Sequence, residues 1–144
     1  MEIEIGRGKK GRRAYGFDDI AIVPSRRTRD PDDIDITWTL GPYRFDLPLL
    51  ASAMDGVVSP ETAVLTSELG GLGVLNLEGI WTRFENAEER LEAISAAPKH
   101  EATRLMQEIY SEPVKPELIA KRVEEIKATG AVVSGSLTPQ KVRD

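Results

Sequence analysis

The stretch that most constrains this chain is residues 48–76, PLLASAMDGVVSPETAVLTSELGGLGVLN. Leu49 to Ala51 reads as a short buried strand. Ser59-Pro60-Glu61 reads as a helix start, with serine as N-cap, proline at the first helical position and an acid in the first turn. Val64, Leu65 and Leu69 give that helix an apolar face, and Gly70-Gly71 offers the left-handed conformation that stops it. GLGVLN (71–76) is then a second buried strand. Strand, helix and strand joined by short loops make a parallel β-α-β unit, which needs cover on both faces and further strands to pair with.

The flanking segments divide the chain at about residue 46. Residues 1–46 begin with a basic, glycine-rich arm, GRGKKGRR (6–13). Gly6, Gly8 and Gly11 satisfy G-x-G-x-x-G, but a dinucleotide site needs a helix next, and RRAYGFDD has no helical period. A mobile or surface-docked arm is the expectation. RRTRDPDD (26–33) reads as a solvated charged connection, and IDITWTL with Gly41-Pro42 and Tyr43-Arg44-Phe45 as a β-hairpin over 34–46.

Residues 47–144 continue the α/β pattern. Helical periodicity marks 85–96 (Ala87, Leu91, Ile94), 99–111 (Ala102, Leu105, Met106, Ile109, Tyr110) and 116–128 (Leu118, Ile119, Val123, Ile126). AVVSGSL (131–137) reads as a third strand, and Thr138-Pro139 as another helix start. A helix capped six residues from the terminus cannot bury a face. Three strands would also make a poor closed domain, so the expectation is the front part of a longer protein.

Composition excludes several classes. With 40% hydrophobic and 30% charged residues the chain has the balance of a soluble globular protein. A net charge of -5 argues against nucleic acid as a partner. No run approaches the ~20 apolar residues of a membrane span. The N-terminus lacks the apolar core of a signal peptide, so a cytoplasmic location is expected. There is no cysteine, which excludes thiolate metal sites and a cysteine nucleophile within these residues. The single histidine, His100, has no second histidine to share a metal, so no metal site is expected.

In strand-helix folds functional groups gather at the strand C-terminal ends. Ser52, Met54 and Asp55 end the first such strand, and Asn76 and Glu78 the second. Gly71 and Gly73 would let a ligand or a neighbouring strand approach closely. A structural reading competes: Asp55 as a cap on loop amides, Met54 as a core gap-filler, Ser52 bonding its own strand end. Glu85, Glu88, Glu89 and Glu92 read as a wet helix face.

YGFDDIAIVP (15–24), DLPLLASAMDGVVSPE (46–61) and ELGGLGVLN (68–76), in that order and spacing, resemble the start of the IMP dehydrogenase/GMP reductase family. The likeness covers about residues 14–80. It implies a (β/α)8 TIM barrel, preceded by the arm and hairpin and incomplete here, since a barrel takes about 250 residues. It further implies a purine-nucleotide oxidoreductase: NAD-dependent oxidation of IMP to XMP in guanine nucleotide synthesis. The alternatives are NADPH-dependent reduction of GMP to IMP, or a non-catalytic nucleotide-binding relative.

By position, the family's S-x-M-D assigns Ser52 and Met54 to the nucleotide. The catalytic cysteine is expected downstream, so these 144 residues alone are expected to be inactive. The resemblance also implies a cytoplasmic homotetramer, and a monovalent cation held by parts absent here. Two departures from the pattern, Gly56-Val57-Val58-Ser59-Pro60 after Asp55 and Asn76-Leu77-Glu78 in place of a histidine, resemble the IMP dehydrogenase-related branch. Asn76 would then stand on the cofactor side. Residues 78–130 leave no room for the paired regulatory domains many members insert.

Overall fold

A computed structural model describes residues 2–24 and 30–142. The chain divides into two units, residues 1–34 and 35–144. In the first, β1 (Glu2–Glu4) pairs antiparallel with β2 (Lys10–Arg12), so the basic arm forms part of a two-stranded hairpin. Gly11 lies inside β2, which disposes of the dinucleotide pattern: no strand-to-helix turn is formed there. A 3-10 turn follows at Phe17–Asp19. Residues 25–29 of the expected charged connection lie outside the described residues, and Pro31–Asp33 of it form a second 3-10 turn.

The second unit opens with β3 (Trp38–Leu40) paired antiparallel to β4 (Tyr43–Phe45). The expected hairpin is present but shorter, because Ile34 and Ile36 lie outside it. The Trp38 and Phe45 rings stack at 4.8 Å, and Trp38 Nε1 donates to Leu47 O at 2.7 Å. Leu47 N in turn donates to Gly70 O at 2.9 Å, which ties this hairpin to the turn entering the next sheet.

That sheet is parallel, in the order β5 (Leu50–Ala51), β6 (Leu72–Asn76), β7 (Ser134–Ser136). Helix α1 (Pro60–Glu68) crosses from β5 to β6. Its start is as expected: Ser59 Oγ accepts from Thr62 N at 3.0 Å, while Ser59 N donates to Thr62 Oγ1 at 2.7 Å. Gly70, at φ 85°, ends it. Its buried face is the expected one only in part: Val64 packs against the core, but Leu65 and Leu69 are 49% and 76% exposed and Ala63 is the buried residue. The cause is close packing. A Cβ on Gly73 would stand 2.7 Å from Ala63 Cα, so a small residue on each element brings helix and strand together.

From β6 the chain runs through a 3-10 turn (Ile80–Thr82), α2 (Ala87–Ala96), α3 (Lys99–Ser111) and α4 (Pro116–Lys127) to β7. Helix α4 packs beside α1 on the sheet, so α2 and α3 are a hairpin interposed before it. Val58, Ala63, Leu75, Ile80, Trp81, Ala87, Ile109 and Ile126 form the core. It lies on the side of the sheet that Gly73 and Leu75 share. One expectation fails: Thr138-Pro139 begins a turn and no helix among the described residues, with Lys141 N donating to Thr138 O at 2.9 Å. The expected incomplete closure is seen: the described residues are α/β with a three-stranded parallel sheet, and no closed (β/α)8 barrel is formed among them.

Candidate functional site

Strand pairing decides which side chains share a face. Leu50 pairs with Leu72, Val74 with Ser134 and Asn76 with Ser136, so these six stand on the side opposite the helices. Leu50 is 53% exposed there, which overturns its reading as a buried strand residue. The apolar run looked buried because its composition suits a two-sided interior. Within these residues Leu50 itself has no cover, although Leu72 beside it is 2% exposed, while Ala51 on the other side packs against the core.

Ser52 lies two residues beyond Leu50 and is exposed. Met54 is 55% exposed, so it fills no gap in the core. A tight turn follows, in which Met54 O accepts from Val57 N at 2.8 Å and Val58 N at 2.9 Å. Val58 is fully buried, so the turn converts an outward Met54 into an inward anchor four residues on.

Asp55 goes the other way from Ser52 and Met54. It is 8% exposed, and its Oδ2 accepts from Ile80 N at 3.0 Å and from the Tyr110 hydroxyl. Its main-chain oxygen accepts from Trp81 Nε1 at 3.2 Å. Oδ1 is buried without a conventional partner, and a Cβ on Gly79 would fall 1.8 Å from it. That oxygen therefore rests on the Gly79 Cα, where only hydrogen fits and a weak Cα–H contact is the available interaction. The structural reading holds for Asp55: it caps an amide, across 25 residues of sequence rather than within its own loop.

At the end of β6, Asn76 is half-buried and its Oδ1 accepts from Glu78 N at 3.1 Å. Among the described residues its Nδ2 is left to donate elsewhere. Glu78 is already engaged: its carboxylate accepts from Thr138 N at 2.6 Å and Thr138 Oγ1 at 3.2 Å, joining the ends of β6 and β7. Gly73 faces Ala63 of α1, and Gly71 lies against both the Leu49 carbonyl just before β5 and Thr66 of α1, so their smallness admits the neighbouring strand segment and the helix. His100 is exposed beside Glu101 at 3.5 Å, and among the described residues no cluster of metal-ligating side chains occurs. No helix there is long and apolar enough to cross a membrane.

Sequence reasoning missed Tyr110. It reads as one more apolar position of an amphipathic helix, and nothing local signals a partner 55 residues earlier. Its hydroxyl pKa is raised, first by burial, then by donating to Asp55 and by the Asp55 charge, with Arg83 opposing. The Arg83 guanidinium lies 5.7 Å from the ring centroid. A raised tyrosine pKa means that the folded state holds the proton more tightly than the unfolded chain. The resulting stability is complete below the ordinary phenol value of about 10 and is lost as pH rises above it. Denaturant midpoints taken upward from pH 9 should fall more steeply for the wild type than for Tyr110→Phe. Parallel curves would show that the phenol contributes nothing.

The comparisons bear on what such strand ends serve. The family model for the IMP dehydrogenase / GMP reductase domain matches residues 14–134. An uncharacterized oxidoreductase of Mycobacterium tuberculosis is 42% identical over 143 residues, covering 96% of this chain and 38% of that protein. Inosine-5'-monophosphate dehydrogenase of Methanocaldococcus jannaschii is 32% identical over 90 residues, covering 62% of this chain and 17% of that enzyme. The crystal structure of an IMP dehydrogenase/GMP reductase-like protein from Corynebacterium glutamicum superposes with a TM-score of 0.83 at 38% identity, over 99% of this chain and 40% of that one. The chain thus spans well under half the length of these relatives. With the family model running from the Tyr15 segment to the start of β7, and a solved relative superposing over 99% of the chain, the chain belongs to the IMP dehydrogenase/GMP reductase family of oxidoreductases.

Proposed function

We propose that this chain supplies one wall of the nucleotide pocket of an oxidoreductase that converts IMP to XMP with NAD. The observation that carries the reading is the divergence at the end of β5. Ser52 and Met54 are exposed, while Asp55 between them and the helix is turned inward and held to the scaffold through Oδ2. A polarizable, unbranched methionine suits the flat face of a purine, and a serine hydroxyl suits a ribose or phosphate oxygen. The nicotinamide group, when bound, supplies the hydride acceptor. The residue here with a donor for its polar groups is Asn76, through Nδ2. No cysteine is present, so the covalent step belongs to residues beyond these 144.

The test is calorimetric nucleotide titration beside thermal unfolding, in a full-length protein carrying this chain. Met54→Ala should weaken IMP binding by about 1–3 kcal/mol, the scale of a lost buried apolar contact. Ser52→Ala should cost about 0.5–1.5 kcal/mol, one hydrogen bond. Neither should lower the melting temperature appreciably. Unchanged affinity in both variants would reject the pocket reading, and GMP-dependent oxidation of NADPH would reverse the direction of the reaction. The 144 residues by themselves should show neither turnover.

A further inference from the structure

The α2–α3 hairpin meets the loop after β5 through the Tyr110 hydroxyl, which donates to Asp55 Oδ2. The same carboxylate holds Ile80 N, and the Asp55 carbonyl holds Trp81 Nε1, so the loop is tied at residue 55 to two separate elements. Ser52 and Met54 immediately precede this anchor. Three residues on, Val58 is buried in the core. The loop is therefore clamped at its downstream end, and the clamp has one part fixed to the sheet and one part carried by the interposed hairpin.

We propose that Asp55 and Tyr110 are positioning residues: through their hydrogen bond the α2–α3 hairpin fixes the loop that presents Ser52 and Met54 to the nucleotide. This rests on the reading of those two residues as pocket residues. Neither Asp55 nor Tyr110 touches the ligand. Arg83 supports the arrangement from the third side. Its guanidinium lies against the Tyr110 ring, its Nη1 donates to Glu112 O at the end of α3, and its Nε and Nη2 donate to Glu78 O at 3.2 and 3.0 Å. Because Arg83 and the helix hold the ring, Tyr110→Phe removes the hydroxyl and leaves the packing.

The test is residue-resolved amide exchange on the full chain, comparing wild type, Tyr110→Phe and Asp55→Asn. Losing a hydrogen bond to a charged acceptor should speed exchange at Val57 and Val58 by about tenfold. Lys99–Ser111 should respond with them, while the Leu72–Asn76 amides of β6 keep their protection. Equal acceleration in β6 would make the pair an ordinary stabilising contact and overturn the proposal. So would unchanged exchange at Val57 and Val58 in Tyr110→Phe, which keeps every apolar contact and so stays folded if Asp55→Asn does not. In a full-length protein carrying the chain, Tyr110→Phe should also raise the nucleotide KM several-fold with kcat held. No nucleotide enters the exchange measurement. A loop that loosens without a change in KM therefore overturns the pocket reading on which the proposal rests, and a loop that does not loosen overturns the latch itself.

Discussion

Gly79→Ala should cost the chain about 3–5 kcal/mol, at the severe end for a single methyl group. The backbone is not the reason, since Gly79 has an extended conformation (φ -92°, ψ -164°) open to any residue. The reason is that the added carbon would stand 1.8 Å from Asp55 Oδ1 and 2.5 Å from its Cγ. Asp55 is short and has no flexible end to swing aside. Moving it releases Ile80 N and the Tyr110 hydroxyl, and leaves a buried amide unpaired. Gly56→Ala is the control, one residue beyond Asp55, where an added Cβ meets nothing within 4 Å. It should change stability by less than about 1 kcal/mol, in the stabilising direction if the unfolded chain loses entropy. Denaturant midpoints for the two variants decide the matter, and near-equal values would show that the turn at Gly79 yields.

Arg122→Met should be nearly as damaging, by about 3 kcal/mol, although arginine-to-methionine preserves most of the buried stem. Arg122 is 7% exposed. From α4 it donates to three main-chain oxygens of the segment after β6: Trp81 O at 3.1 Å, Glu85 O at 2.8 Å and Phe84 O at 3.4 Å. Its Nη1 meets both Glu125 oxygens at 3.0 Å, which balances the charge. Glu125 keeps access to water and can rehydrate after the substitution, so the loss falls on the carbonyls. Arg122→Lys should recover little, because an ammonium cannot fork toward carbonyls in different directions. Equal unfolding free energies for wild type and Arg122→Met would refute this account.

Much of the fold is legible in the sequence because its signals are local. Ser59-Pro60-Glu61 starts α1 where the cap chemistry puts it, and apolar periodicity locates α2, α3 and α4 within about two residues of their observed ends. The errors share one cause, which is tertiary contact overriding composition. Leu65 and Leu69 look like a helix's inner face by hydrophobicity, yet Ala63 takes that place because Gly73 opposite has no side chain. Leu50 looks internal, yet it lies on the face that these residues leave without helices. At the candidate site, Ser52 and Met54 stand out by their place at a strand end and by the S-x-M-D pattern. What separates them from Asp55 is the direction of a turn, which depends on Val58 reaching the core. The Tyr110 partner of Asp55 had no local trace at all.

The interposed hairpin has a consequence for how such a scaffold can diversify. Lys115 N donates to Thr82 O at 2.8 Å, and Arg122 holds Trp81, Phe84 and Glu85 from the same side. The chain thus leaves the 3-10 turn and comes back to it at one hydrogen-bonded neck. What lies between, residues 86–114, is joined to the sheet much as a cartridge is joined to its socket. Provided Ala87 and Ile109 keep their places in the core, its length and its exposed positions can vary without altering the register of β5, β6 and β7, because neither strand pairing nor the packing of α4 on α1 passes through it. A replacement loses the reach to Asp55 unless it brings its own hydroxyl to that place. Variation at this neck would therefore re-tune how firmly one wall of the strand-end cleft is held, while the strands that form the cleft stay the same.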